Sequence, residues 1–176
     1  MRKVLFIIPS FCLILLYCNS LFSQVDSTIV SQIKAYVKQI DSLDDLDYVQ
    51  NIGLIKSVTD GEILRNKVVI GGFGIYTLSN SKSDTVLRIR YHDNVDINIY
   101  KTYYYRYNKL IYSIVELKEW RSVVKTIYRK EEFYDKERIL LTTLQNEESA
   151  NKFAEKTRFS LYQDGIKYIN NFRGRP

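Results

Sequence analysis

The residues of this sequence that could do acid–base chemistry lie in one short segment, YHDNVD (91–96). It holds the one histidine of the chain, His92, beside Asp93 and near Asp96. A histidine paired with a carboxylate can serve as a general base. Asp and Asn are also common at hairpin tips, because their side chains cap turns and tolerate left-handed backbone geometry. We take the turn as the better interpretation and assign no catalytic residue.

Composition excludes most other active-site chemistry. The 176 residues include two cysteines and one histidine, too few for a Cys/His zinc site. There is no GxSxG nucleophile elbow and no P-loop, and the glycines of GGFG (71–74) lack the spacing of a phosphate-binding loop. The aspartates of DSLDDLD (41–47) do not follow the EF-hand spacing, so a solvated helix end explains them better than a Ca²⁺ site. We expect no metal site and no cofactor.

Tyrosine is the unusual feature of the composition, with 15 in the chain. Six of them fall within one predicted hairpin: Tyr100, Tyr103, Tyr104, Tyr105, Tyr107 and Tyr112. If Asn108-Lys109 forms a two-residue turn, Tyr105 lies opposite Tyr112. Because residues that lie opposite each other share a face, this register predicts one core face made of Ile97, Ile99, Tyr103, Tyr105, Tyr112 and Ile114.

The opposite face of the same strands is the candidate binding site. A loop at 93–95 would place Tyr100 opposite Arg88 of the preceding strand. The outer face would then carry three arginines and two tyrosines: Arg88, Arg90, Tyr100, Tyr104 and Arg106. Arginine over tyrosine is a cation–π arrangement, and both residue types are enriched at binding interfaces. The competing interpretation is that tyrosine simply suits strands, and that a helix covers part of this face.

Hydrophobic periodicity defines the elements that must position these residues. Residues 26–40 repeat isoleucine and valine at the spacing of one helix face, and DSLDDLD (41–47) is expected to end or bend that helix. The period then changes to two, which predicts strands joined by short turns, beginning with a short hairpin around Thr59–Gly61. Residues 146–172 return to helical spacing, with Gly165 as an expected break. The fold class is therefore predicted to be α+β, with an N-terminal helix, an antiparallel meander sheet of about six strands, and a C-terminal helix packed on the sheet.

Residues 1–23 have the layout of a secretory signal peptide. A short basic start precedes an uncharged apolar run that is shorter than a membrane span, and the small Ser23 marks the expected cleavage site. Residues 24–176 would then form a single cysteine-free domain. Two alternatives stay open, an uncleaved anchor and a lipoprotein signal in which Cys18 receives the lipid. Tyr17 is bulky where the lipoprotein pattern requires a small residue, so cleavage after Ser23 is preferred.

The net charge of the chain and its expected export together limit the kinds of partner that the protein is expected to bind. Lys and Arg number 26 against 20 for Asp and Glu, and most of the excess lies in the second half of the chain. A basic surface attracts anionic partners, but no dense Lys/Arg run is present, and nucleic acid is not an expected partner of an exported protein.

We therefore expect an exported protein, periplasmic or extracellular, with outer-membrane association as a variant. Its expected role is that of a non-catalytic binding module of the bacterial cell envelope. Its partner would be a protein, a glycan or a small molecule, with weak contact to an anionic membrane surface. The alternatives are a lipid-anchored envelope lipoprotein and a small enzyme with a pocket in a curved sheet.

Overall fold

A computed structural model of the chain describes residues 26–46, 53–81, 85–120, 124–148, 150, 153 and 159–174. It is α+β, as the sequence predicts, with helices flanking an antiparallel meander sheet of seven strands. The strands lie in the sheet in their order along the chain. Among the described residues, no helix has the length and apolar composition needed to cross a membrane. The expected signal peptide (1–23), with Cys18, lies outside the described residues.

The strands are long and their connections are short. They are β1 Leu54–Arg65, β2 Val68–Asn80, β3 Thr85–Asp93, β4 Asn98–Arg106, β5 Lys109–Trp120, β6 Val124–Asp135 and β7 Arg138–Asn146. Helix α1 spans 26–46 and helix α2 spans Leu161–Arg173; Glu148, Ala150 and Phe153 are also helical. The short hairpin expected around Thr59–Gly61 is wrong, because this segment is part of β1 and pairs along its length with β2.

Three connections are two-residue turns with left-handed backbone at both positions. Positive φ angles occur at Asn66-Lys67, Tyr107-Asn108 and Lys136-Glu137. Turns of this kind twist in the same sense as the strands they join, which is why two-residue hairpins favour them. The expected turn at Asn108-Lys109 is therefore wrong by one residue. Asn108 still supplies a side chain that tolerates positive φ, and its Oδ1 accepts a hydrogen bond of 2.9 Å from the backbone N–H of Val86.

This shift changes the faces of the β4–β5 hairpin. Tyr104 lies opposite Tyr112 and Tyr103 lies opposite Ser113, with an irregularity between Tyr104 and Tyr105. Since opposite residues share a face, the expected core face that joined Tyr103 and Tyr105 to Tyr112 is wrong. These tyrosines lie on opposite faces of the sheet, and both faces are core.

The β3–β4 register also differs from the expected one. Tyr100 lies opposite His92, and Arg88 lies opposite Tyr104. The expected pairing of Tyr100 with Arg88 is wrong, because the connection takes residues 94–97 rather than 93–95. The shift is an even number of residues, so it preserves which side chains share a face.

Helix α1 packs on one side of the sheet, which we call the α1 face. Its apolar stripe is buried together with sheet side chains in a cluster of Val30, Ile33, Ile40, Leu78, Tyr104, Tyr112, Ile114 and Phe133. The helix continues through residue 46, so all described residues of DSLDDLD (41–47), the segment expected to end or bend it, are themselves helical. Asp41 and Asp44 of that segment form ion pairs with Arg88 of the sheet, which ties this last part of the helix to the α1 face.

Helix α2 packs on the other side, the α2 face. Its Ile169 joins a buried cluster of Val86, Ile89, Tyr103, Tyr105, Leu110 and Tyr134. The expectation that Gly165 breaks the helix is wrong, since Gly165 lies buried inside α2. A Cβ added at Gly165 would lie 2.8 Å from Leu110 Cδ2 and 2.9 Å from Tyr103 Cδ1. The missing side chain therefore lets helix and sheet approach closely.

Candidate functional site

The five residues predicted to form a binding face do share the α1 face, but they differ in accessibility. Arg88 and Tyr104 are each 4% exposed, because α1 covers them. Arg106 lies with its guanidinium carbon 4.5 Å from the centre of the Tyr36 ring of α1. Arg90 and Tyr100 lie farther along the strands, where the sheet is more open. The interpretation that a helix covers part of this face therefore describes Arg88, Tyr104 and Arg106.

Arg88 belongs to a charged cluster beneath α1. Its guanidinium donates hydrogen bonds to the carboxylates of Asp41 and Asp44. The hydroxyl of Tyr104 donates to Asp41 at 2.9 Å, and Arg90 lies 3.5 Å from the same carboxylate. A buried charge is tolerated when it is paired and hydrogen-bonded in this way. Through these contacts Arg88 holds the helix on the sheet. The Arg88 side chain is therefore poorly placed to contact a binding partner.

The cluster also shifts the pKa values of its members. Burial alone would raise the pKa of Asp44, but hydrogen bonds from Lys56 and Arg88 outweigh burial and lower it below its ordinary value. Burial raises the pKa of Tyr104 to about 12, and the negative charge of Asp41 adds to the rise. Tyr104 is therefore a protonated donor at neutral pH, and Asp44 is ionised.

The open part of the α1 face carries a row of stacked side chains from four adjacent strands. The ring centres of Tyr76 and His92 are 5.9 Å apart, and those of His92 and Tyr100 are also 5.9 Å apart. The planes of the rings meet at 29° and 16°, so the rings stack. Lys118 Nζ lies 4.7 Å from the centre of the Tyr100 ring. We call Tyr76, His92, Tyr100 and Lys118 the ring stack.

Gly74 makes this stacking possible. It lies opposite His92 on the neighbouring strand. A Cβ at Gly74 would lie 2.8 Å from His92 Cε1 and 3.0 Å from Tyr76 Cε2, so both rings lean over the bare backbone of this residue. Glycine within a strand commonly marks such a close approach.

A cavity of about 470 Å³ opens beside the Tyr76 end of the ring stack, and we call it the stack cavity. Gly61 and Gly72 contribute bare backbone to its lining, and the side chains of Tyr76 and His92 border it. Asp60 and Glu62 of β1 line it from the other side; they lie opposite Gly74 and Gly72, which places both carboxylates on the α1 face. The cavity thus combines an aromatic wall, half-exposed at Tyr76, with two exposed hydrogen-bond acceptors.

Asn94 fixes the loop at the mouth of the stack cavity. The backbone N–H of Gly72 donates to Asn94 Oδ1 at 2.8 Å, and the backbone N–H of Asn94 donates to the carbonyl of Gly72 at 3.3 Å. Arg65 Nη2 of β1 lies 3.8 Å from Asp96 Oδ2 of the same loop. These contacts fix the position of this loop beside the stack cavity.

The structure does not assemble the acid–base pair that His92 and Asp93 could have formed. The two residues are consecutive in β3, so their side chains point to opposite faces. Asp93 is buried on the α2 face and accepts a hydrogen bond of 2.8 Å from the hydroxyl of Tyr91. Within the part of the chain that the structure describes, no hydrogen bond joins the imidazole of His92 to a carboxylate. No three His, Cys, Asp or Glu side chains of the described residues form a group that could hold a metal ion.

Sequence reasoning found Tyr100 but missed the rest of this site. From the sequence, His92 is a candidate only for a base, and the spacing of the glycines of GGFG (71–74) only excludes a phosphate-binding loop. Tyr76, Asp60 and Glu62 belong to no recognisable sequence motif. They come close together only through the registers of β1, β2 and β3. The usable signal was a strand glycine two residues before a tyrosine, since it allows a neighbouring ring to pack over the backbone.

Comparison with known proteins adds no relative from which a function could be transferred. No family model matches the chain, and neither the curated proteins nor the solved structures contain a match.

Proposed function

We propose that the protein is an exported, non-catalytic binding module of the bacterial cell envelope, and that the stack cavity binds a neutral or amino sugar of an envelope glycan. The observation that carries the proposal is the Tyr76 ring, 44% exposed, which borders a cavity lined by two carboxylates. Ligand sites typically join apolar or aromatic walls to a few placed polar groups.

The chemistry of the lining favours a sugar ring. One face of a pyranose is rich in C–H groups and packs on an aromatic ring, while its hydroxyls both donate and accept hydrogen bonds. Asp60 and Glu62, when ionised, only accept hydrogen bonds, so they require a ligand that donates. Two carboxylates side by side also repel an anion, which favours a neutral or positively charged sugar over a phosphate or an acidic peptide.

Binding without catalysis fits the surroundings of His92. Its ring is held between Tyr76 and Tyr100, and among the described residues no carboxylate accepts a hydrogen bond from it to orient it as a general base. Export and envelope location rest on the sequence of residues 1–23. The N-terminal residue of the secreted protein, measured by mass spectrometry, tests that part of the proposal. Gln24 is expected, whereas a diacylated Cys18 would establish the lipoprotein alternative.

Calorimetric titration tests the ligand class. The probes are a tetramer of N-acetylglucosamine, its de-acetylated amino form, and a sulfated tetramer that carries negative charge. We expect the first two to bind, the sulfated one to bind at least tenfold more weakly, and Tyr76→Ala to weaken binding at least tenfold. Tyr107→Ala is the matched control, since Tyr107 is 84% exposed in the β4–β5 turn and does not line the stack cavity. Equal binding by Tyr76→Ala and the unsubstituted protein would show that the stack cavity is not the site, and failure of both uncharged and amino tetramers to bind would contradict the sugar assignment.

A further inference from the structure

The last strand, β7, forms an edge of the described sheet and is exposed along almost its whole length. Three of its apolar side chains are open to solvent: Ile139 is 50% exposed, Leu141 is 37% exposed and Leu144 is 61% exposed. An edge strand also presents a row of backbone N–H and C=O groups that can pair with another strand. β7 therefore offers both apolar contacts and backbone hydrogen bonds to a partner.

The two edges of the sheet differ in charge. β1 carries Lys56, Asp60, Glu62 and Arg65, and charged side chains on an edge discourage pairing with a further strand. β7 has no charged residue from Ile139 to Asn146 and no proline. The contrast marks β7 as the edge that is open to pairing.

The hydrogen-bond pattern identifies the groups that point outward. The backbone N–H of Glu147 donates to the carbonyl of Ile127 at 2.9 Å, so residue 147 directs its backbone groups toward β6. In an antiparallel pair, residues that face the partner alternate with residues that face away. The register of β6 and β7 is regular from Asn146 to Leu141, so Thr142 and Leu144 direct their N–H and C=O groups to the open side.

We propose that β7 pairs antiparallel with β7 of a second copy of this chain, so that two sheets join into one. When a strand pairs with its own copy about a two-fold axis, the same residues of both copies form the interface. The outward backbone donors of one copy then meet backbone acceptors of the other, and the exposed apolar side chains of the two copies lie near each other. The neutral centre of β7 lets two copies meet without facing like charges.

The ends of the strand favour the antiparallel arrangement. Arg138 lies at its start, and Glu147 and Glu148 follow its end. Antiparallel pairing brings the basic start of one copy near the acidic end of the other, whereas parallel pairing would bring like charges together. Arg138 and Glu147 also have partners within their own chain, Asp26 at 2.7 Å and Lys125 at 2.8 Å, so their effect is on orientation more than on affinity.

Sedimentation equilibrium of the purified protein over a concentration series tests this pairing. We expect a monomer–dimer equilibrium, which Leu144→Lys weakens at least tenfold by placing like charges at the two-fold contact. Thr142→Pro removes an outward N–H and has the same expected effect. Ile55→Lys, a similar exchange at a 51% exposed position on the β1 edge, is the control that leaves dimerisation unchanged. A monomer at every concentration overturns the proposal, and so does a dimer that Leu144→Lys, folded by circular dichroism, leaves intact.

Discussion

The hydroxyl of Tyr105 donates a hydrogen bond of 2.8 Å to the carbonyl oxygen of Gly165, across the contact between β4 and α2. Tyr103 lies two residues earlier on the same face and is as fully buried. Its hydroxyl has no hydrogen-bond partner among the described residues. Two buried tyrosines of one strand thus differ in whether the hydroxyl has a hydrogen-bond partner among the described residues.

That difference predicts opposite effects for the same substitution. Tyr105→Phe removes a buried hydrogen bond and leaves the Gly165 carbonyl without it, so we expect a loss of about 1 kcal/mol in the free energy of unfolding. Tyr103→Phe removes a buried hydroxyl that makes no hydrogen bond to a described residue, so we expect the free energy of unfolding to rise by about 1 kcal/mol. Urea denaturation of the two variants measures both values. Changes of the same sign in the two variants would contradict this account.

Gly165→Ala is expected to destabilise the protein although alanine favours helix. In an open helix the exchange would gain about 1 kcal/mol. Here the new methyl group would press on Leu110 and Tyr103 at distances that real Cβ atoms do not show, and overpacking of this kind costs about 1–3 kcal/mol. The control is Asn170→Ala on the exposed side of α2, which has the propensity gain without the clash. Thermal melting compares the two, and a higher melting temperature for Gly165→Ala would contradict the close packing.

The charged cluster beneath α1 predicts a dependence of stability on acid. Since the pKa of Asp44 is lowered in the folded protein, its ionised form adds stability above its unfolded pKa of about 3.9, and this contribution is lost as the pH falls through the folded value. Asp44→Asn should therefore be less stable than the unsubstituted protein at neutral pH, and the two should converge in acid. Denaturant unfolding at a series of pH values measures this. Asp45→Asn, at an exposed position of the same helix, is the control for the loss of one negative charge, and a loss of stability as large as that of Asp44→Asn at neutral pH would contradict this account.

The left-handed backbone conformation of Tyr107 predicts that a substitution at this surface position raises the stability of the protein. Tyr107 has a φ of 52° in the β4–β5 turn, and its side chain is 84% exposed. A bulky residue in left-handed geometry costs on the order of 1 kcal/mol, and asparagine adopts this geometry more readily. We expect Tyr107→Asn to raise the free energy of unfolding by about that amount. Tyr107→Phe keeps the strain and should change nothing, so an equal gain in both variants would point to the exposed ring rather than the turn.

The fold could be predicted because its determinants are local. Alternating apolar residues marked the strands, and the helical spacing of 26–40 marked α1. The registers could not be predicted, because the β4–β5 turn moves by one residue when Tyr107 takes a conformation that tyrosine rarely adopts. The irregularity between Tyr104 and Tyr105 then fixes which face each later tyrosine takes, and nothing in the sequence indicates it.

The candidate site was less predictable than the fold, because it depends on long-range contacts. The alternation of β3 predicts an open position for Arg88, because alternation alone does not show what covers a strand. The helix that covers Arg88 is held by Asp41 and Asp44, more than forty residues earlier in the chain. The open part of the α1 face is therefore formed by Tyr100 and the neighbouring side chains of the ring stack. These side chains come together only through the registers of the strands.

The order of the strands has a consequence for how the chain folds. Because each strand pairs with its neighbours in sequence, the sheet can grow by successive hairpins, each closing a short loop at small entropic cost. The contacts of α1 close much longer loops; Asp26 and Arg138 are 112 residues apart. We therefore expect the sheet to form first and α1 to dock last. Substitutions at Asp41 or Asp44 should then mainly accelerate unfolding, whereas those within the β4–β5 hairpin should slow folding.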